Sequence, residues 1–282
     1  MDWMQAIEDT AARFRAGEAE VARSFFSVPR PLDQHLRWLK EQVSRELRNL
    51  REISAGELTE QVDRVDRGFS REEIVAELRE HYYETRHYAM LADILEGIIG
   101  EAVDWKALDA QRGKADWSVS RHQNGLEHRK RQQWSLISPL HGAAGSFNSG
   151  GAGSVAYGLI GIEGGIYEEL LSETGKMVIH DEMAHGGVLG RHPLYGLVKT
   201  NEDANTSLEI IREYSTIRLR GRNFQFGFPL SEERVEAIAR GEIEPLTTDI
   251  LRAACASAID EEEWFDRYQA APKPLSATSI QR

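Results

Sequence analysis

Residues 70–97, SREEIVAELREHYYETRHYAMLADILEG, decide how the chain folds. Ser70 and Glu73 form the pattern of a capping box, in which each side chain bonds a backbone amide at the other residue, so a helix is predicted to begin here. Apolar residues then recur at helical spacing to the end of the stretch. Within this helix Glu84 and His87 are three positions apart. They therefore lie on one face, where both can bind one metal ion.

The Glu-x-x-His spacing occurs a second time, at Glu182 and His185, in a helix predicted over about 176–189. Two such helices that face each other can bind two ions. Helix bundles that bind a pair of iron or manganese ions use this device and add one Glu from each of two further helices. The doubled motif therefore predicts a site for two metal ions.

Helical phase identifies candidates for the two further carboxylates. In the second predicted helix, a rotation of about 100° per residue places Glu46 close to the apolar face, with Glu57 as the second choice. Glu163 stands in the apolar run 159–166, where a carboxylate is costly to bury unless it is paired or binds a metal. Glu169 is the alternative there. Glu46 and Glu163 are thus the predicted additional ligands.

Apolar periodicity predicts helices through most of the remaining chain. Beside the two motif helices, the predicted ranges are 2–27, 32–67 with a break at 54–56, 153–173, 205–218, 231–240 and 247–258. Residues 222–230 are predicted to be extended because aromatic residues alternate there, and the tail 272–282 to be disordered. With no repeat and no clear linker, residues 1–271 are predicted to form a single helical domain.

The composition is typical of a soluble globular protein, since 41% of the 282 residues are hydrophobic and 28% are charged. The net charge of −12 argues against nucleic acid or an anionic membrane as the main partner. Cys255 is the only cysteine and the N-terminus has no signal-peptide pattern, so a cytoplasmic location is expected. The basic stretch 121–133 is interpreted as a solvated helix face, with a docking patch for an acidic partner as the alternative.

Several residues near the motifs leave other hypotheses open. Asp181 stands where a zincin helix requires histidine, so that motif is excluded. His180 and Asp181 could instead be the HD pair of all-helical metal phosphohydrolases. His81, three residues before Glu84, is a candidate third histidine ligand.

The glycine pattern at 151–156 is interpreted as helix packing, because no strand precedes it. A non-enzymatic helical interaction module with a chance repeat of the motif is the third hypothesis.

The two motifs resemble those of the ferritin-like di-iron carboxylate proteins. Glu84-Thr-Arg-His87 looks like the Glu-x-Arg-His of acyl-carrier-protein desaturases. Asp181-Glu182-Met-Ala-His185 looks like the second half-site of desaturases, rubrerythrins and ribonucleotide reductase small subunits. The likeness covers about 32–190 as an order of helices. One departure is that Glu163 lies only 19 residues before Glu182, closer than the family usually places this carboxylate.

The resemblance implies an all-α protein with a ferritin-like four-helix bundle core at about 32–190 and additional N- and C-terminal helices. It implies a non-haem di-iron oxidase or oxygenase that uses O₂ and an electron donor to hydroxylate, desaturate or N-oxygenate a small organic substrate. The cofactor would be two iron ions, with manganese as the alternative, and a homodimer is expected. Glu84 and His87 would bind one ion, Glu182 and His185 the other, and Glu46 and Glu163 would terminate or bridge.

Overall fold

The computed structural model describes residues 3–54, 70–104, 107, 118–148, 174–175, 177–178, 181 and 192–243. All regular structure within these ranges is helical, which confirms the predicted all-α class. The helices are α1 (Trp3–Phe26), α2 (Leu32–Ser54), α3 (Arg71–Ile99), α4 (Ser118–Ile137), α5 (Pro139–Ser146), α6 (Leu194–Leu197), α7 (Asn201–Gln225) and α8 (Glu232–Arg240). None of these described helices is long and apolar enough to cross a membrane.

The chain divides into two compact units. The larger unit comprises Met1–Gln34 and Ala110–Ile259, and the smaller unit comprises His35–Asp109 and Asp260–Arg282. The single domain over 1–271 and the four-helix bundle core stay predictions. The helices predicted over 153–173 and 247–258, and the tail 272–282, lie outside the described residues.

The larger unit is built on α1 and α7, which pack against each other. The helix predicted over 2–27 is confirmed as α1. Gly17 permits a close approach of α1, because a Cβ atom there would lie 3.0 Å from a methyl carbon of Ile238 and 3.3 Å from one of Leu219. The core of this unit is apolar, and its buried members are Ile7, Ala11, Trp134, Ala143, Ala144, Phe147, Leu194, Val198, Ala204, Ile210, Ile211 and Tyr214.

A second close contact joins α4 to α5. Ser138 caps α5, since its hydroxyl accepts a hydrogen bond from the backbone amide of His141. A Cβ atom at Gly145 would lie only 2.7 Å from Cε3 of Trp134, which is too close for two non-bonded carbon atoms. The α4–α5 interface is therefore fitted to a residue without a side chain. On α4, residues 129 and 131–133 are exposed, as expected of a solvated helix face.

The prediction of an extended segment over 222–230 is wrong. Helix α7 begins at a capping box between Thr200 and Asp203 and continues to Gln225, beyond the predicted 205–218. A turn follows, with positive φ at Gly227 and Phe228.

The side chain of Asn223 closes this turn. Its amide nitrogen donates to the carbonyl of Leu230 and its oxygen accepts from the amide of Leu230, both at 3.0 Å. The Asn223 side chain therefore bonds both backbone groups of Leu230, as a neighbouring strand would in a sheet. Helix α8 then confirms the prediction over 231–240, with Ser231 as its N-cap and Gly241 in the left-handed conformation at its end.

The described core of the smaller unit consists of α2 and α3. Helix α3 confirms the prediction for residues 70–97, and its first turn begins where the amide of Ile74 donates to the carbonyl of Ser70 at 3.2 Å. The Glu73 side chain of the predicted capping box lies outside the described residues. So do residues 55–69, in which the second predicted helix was expected to resume.

Candidate metal centre

Helix α2 places Glu46 within a buried stripe. Its buried residues include positions 35, 38, 39, 42, 43 and 46, the spacing of one helical face. Half of this stripe is apolar, namely Trp38, Leu39 and Val43, and the other half is polar. Glu46 continues it and is 7% exposed. The sequence therefore puts a carboxylate where only an apolar side chain would bury without cost, unless the carboxylate finds a partner or a cation.

Helix α3 places His87 in the same way. Positions 83, 86, 87, 90, 91, 94 and 95 are buried and again follow one helical face. His87 is 1% exposed, while Glu84 lies at the edge of the stripe and is partly exposed. The spacing of three residues holds the carboxylate and the imidazole side by side, as the sequence predicted.

The three side chains of Glu46, Glu84 and His87 converge. One carboxylate oxygen from each glutamate and one ring nitrogen of the histidine all lie within 4.8 Å of one another. Within the described ranges this is the only such group of three or more acidic, histidine or cysteine side chains. A residue of α2 and two residues of α3 thus meet at one point of the smaller unit.

The spacing is close to that of a metal site. Nitrogen and oxygen ligands bind divalent metals at about 2.0–2.2 Å, so two ligands on one ion lie roughly 3–4 Å apart. The separations in the group are at most 4.8 Å, so any that exceed this range must shorten for the three side chains to share one ion. Two carboxylates and one imidazole suit iron, manganese or zinc. Three protein ligands also leave coordination positions for water, O₂ or a substrate.

One polar residue contacts the centre, and another, Arg86, precedes His87 in the sequence. Gln42 donates a hydrogen bond from its side-chain amide to Oε1 of Glu46, at 2.5 Å. Arg86 is buried, and its guanidinium carbon lies 5.0 and 4.9 Å from the ring centroids of Tyr82 and Tyr83, a cation–π arrangement. Sequence reasoning did not identify Gln42, although its position four residues before Glu46 on the same stripe was a usable signal.

The structure brings together three of the six predicted ligands. The other three, Glu163, Glu182 and His185, lie outside the described residues, as do the alternatives Glu57 and Glu169. His81 is half-buried on α3 and is not a member of the converging group. Asp181 is fully buried in a helical position, and its neighbour His180 in the HD hypothesis is outside the described ranges.

A serine and a histidine meet in the larger unit, where Ser146 Oγ lies 3.3 Å from Nε2 of His192. Nδ1 of His192 accepts a hydrogen bond from the amide of Leu194, so the proton of the neutral ring resides on Nε2. The ring therefore donates to Ser146 and cannot remove its proton, which excludes a serine nucleophile in this arrangement. Burial lowers the pKa of His192, against the opposing charge of Glu8, and so favours this neutral ring.

Comparisons of the chain with protein-family models, with curated proteins and with solved structures gave no match in any of the three. The interpretation of the metal centre therefore depends on its own residues.

Proposed function

We propose that the chain is an iron-dependent oxidoreductase that uses O₂ to oxidise a small organic substrate, with Glu46, Glu84 and His87 as ligands of one iron ion. The observation that carries the proposal is the convergence of these three side chains from two helices. Their chemistry supports it further, since carboxylates and imidazole suit iron or manganese and leave open positions.

The fuller form of the proposal is a ferritin-like di-iron oxidase or oxygenase. In this form Glu182 and His185 bind a second ion and Glu163 supplies the remaining carboxylate, as in bundles where two helices carry Glu-x-x-His and two others carry one Glu each. The doubled motif of the sequence supports this form. The half-site of Glu46, Glu84 and His87 agrees with it, because α2 supplies a single Glu and α3 the Glu-x-x-His pair.

The residues of the half-site have separate tasks. The carboxylates of Glu46 and Glu84 balance the charge of a divalent ion, which offsets the cost of placing that ion among buried side chains. His87 binds as the neutral imidazole, the form that has a free lone pair. Iron bound there would supply the electrons that O₂ takes up. Tyr83 and Leu91 lie one helical turn before and after His87 and are buried, so they restrict the access of water.

Metal analysis of purified protein tests the binding step. We expect iron to copurify with the chain and to fall to background in Glu46→Gln and His87→Ala, because each removes a ligand, and Glu46→Gln does so with little change in side-chain volume. Glu41→Gln is the matched control, since Glu41 is equally buried on α2 and is not a member of the converging group. Equal iron content in all variants would contradict the proposal.

The number of ions tests the di-iron form. Two iron ions per chain, reduced to one in Glu182→Ala and His185→Ala, would support it, while one ion unaffected by either substitution would restrict the centre to the described half-site.

Reactivity with O₂ tests the chemistry. Protein reduced without air and then mixed with O₂ should consume O₂ faster than the same concentration of free ferrous ion. A bound metal that stays redox-silent while the protein cleaves phosphoesters would favour the HD-type hydrolase instead. Absence of any bound metal would favour the interaction module.

A further inference from the structure

We propose that Gln42 is a positioning residue that holds Glu46 in the orientation for metal binding, an inference that rests on the proposed function of the centre. Gln42 and Glu46 are 5% and 7% exposed, and the amide nitrogen of Gln42 lies 2.5 Å from Oε1 of Glu46. The bond therefore lies within the buried stripe of α2, where water cannot readily replace it.

The chemistry of the pair gives the bond its direction. An ionised carboxylate only accepts hydrogen bonds, so the amide nitrogen of Gln42 must be the atom that faces Glu46. This donor engages one of the two carboxylate oxygens and restricts rotation of the group. A carboxylate held in one orientation presents its oxygens to an ion in a fixed direction.

A neutral donor suits this task better than a cation. An arginine or lysine at position 42 would balance the charge of Glu46 itself and would compete with a divalent ion for it. The Gln42 amide orients the carboxylate and leaves its negative charge for the metal. Because the two residues are four apart on one helix, the backbone sets their separation before any metal arrives.

The experiment measures Co²⁺ affinity, with the visible absorption of the bound ion as the signal. Gln42→Leu keeps the size of the side chain and removes the donor. We expect it to weaken Co²⁺ binding by about 10–100-fold, the effect typical of lost partners of metal ligands. The absorption band of bound Co²⁺ should shift as well, because its coordination geometry changes. Neither effect follows from a role in packing alone, provided that the melting temperature of the metal-free protein is retained.

Gln5→Leu is the matched control. Gln5 donates to Asp9 at 2.7 Å with the same spacing of four residues, on the exposed side of α1. This variant should bind Co²⁺ as the wild type does. If Gln42→Leu fails to fold, Gln42→Met, which also lacks the donor, provides the same comparison.

A cycle with Glu46→Gln separates the inference from the proposed function. If Gln42 acts through Glu46, adding Gln42→Leu to Glu46→Gln should weaken binding no further. Wild-type protein that does not bind Co²⁺ would overturn both the inference and the proposed centre. Wild-type binding that Glu46→Gln weakens and Gln42→Leu leaves unchanged would overturn only the role of Gln42. A further loss in the double variant equal to that in the single variant would also overturn it.

Discussion

Glu18 in α1 and Glu46 in α2 are both buried glutamates on helices, but different groups approach them. Two arginines of α7 face Glu18, with Nε of Arg218 at 3.4 Å and Nε of Arg222 at 3.1 Å from its carboxylate oxygens. Burial alone would lower the pKa of Arg218, but Glu18 together with the smaller effects of Tyr214 and Glu127 outweighs burial and raises the pKa well above the ordinary value. Around Glu46 the converging groups are a second carboxylate and an imidazole.

The difference separates a structural carboxylate from a candidate ligand. Fixed guanidinium groups already balance Glu18, so a metal ion would gain little there and would meet like charge. The group of Glu46, Glu84 and His87 brings two carboxylates and an imidazole within 4.8 Å of one another, and these are the ligand types of the divalent ion that we propose there. Burial of an acid is therefore a weaker sign of function than the kind of side chain that faces it.

The largest expected effect concerns the Glu18 cluster. Arg222→Met removes one of its two cations and leaves a buried carboxylate with incomplete compensation, so the free energy of unfolding should fall by about 3 kcal/mol. Urea denaturation measures this loss. In the Glu18→Gln background the same substitution should cost much less, because the charge that needs compensation is gone. Equal costs in both backgrounds would show that Arg222 stabilises α7 by packing only.

The second effect concerns metal binding at the other site. Mn²⁺ at a concentration about 100 times its Kd should raise the free energy of unfolding of the wild type by about 2.7 kcal/mol, since only the folded chain holds the ligands together. Denaturation with and without Mn²⁺ measures the increase. His87→Ala should abolish it, whereas Glu18→Gln should retain it. An increase of the same size in His87→Ala would place the bound ion elsewhere.

The smallest effect concerns an exposed pair between α7 and α8. Arg220 donates two hydrogen bonds to Glu236, at 2.6 and 2.8 Å, and this bonding lowers the pKa of Glu236 against the opposing effect of burial. A lowered folded-state pKa stabilises the protein above the ordinary pKa of 4.5, and the contribution is lost as the pH falls through the folded-state value.

Glu236→Gln should accordingly cost less than about 1 kcal/mol at pH 7, because solvent screens exposed pairs. The difference from the wild type should vanish in acid, well below pH 4.5. Unfolding measured across this pH range tests both points. Glu209→Gln, at an exposed position of α7, is the control for removal of a carboxylate outside this pair. A cost that persists unchanged in acid would mean that Arg220 is not its source.

Periodicity was sufficient to predict α1, α3 and α8, and helical phase to select Glu46. The apolar spacing of α1, α3 and α8 is regular, and their boundaries lie within about two residues of the prediction. The choice of Glu46 used only its angle from the apolar face, and Glu46 is the residue of α2 that meets Glu84 and His87.

Side-chain contacts that periodicity does not encode account for what the pattern missed. Phe224 and Phe226 alternate as in a strand, yet α7 continues to Gln225, and the side chain of Asn223 bonds the backbone of Leu230 to close the turn that follows. Ser146 and His192 are 46 residues apart, so no local motif could indicate their hydrogen bond. The hydrogen bond between Gln42 and Glu46 could have been predicted, because the two residues are four positions apart on one helix.

The contact between Gly145 and Trp134 constrains how this chain can diverge. A methyl group at position 145 would overlap the indole ring, so the two positions are coupled in their permitted residues. In any set of descendants, glycine should persist at 145 wherever tryptophan occupies 134, and a larger residue at 145 should appear together with a smaller one at 134. Such paired replacement would be a historical record of this interface, detectable even in sequences that have lost the proposed metal ligands.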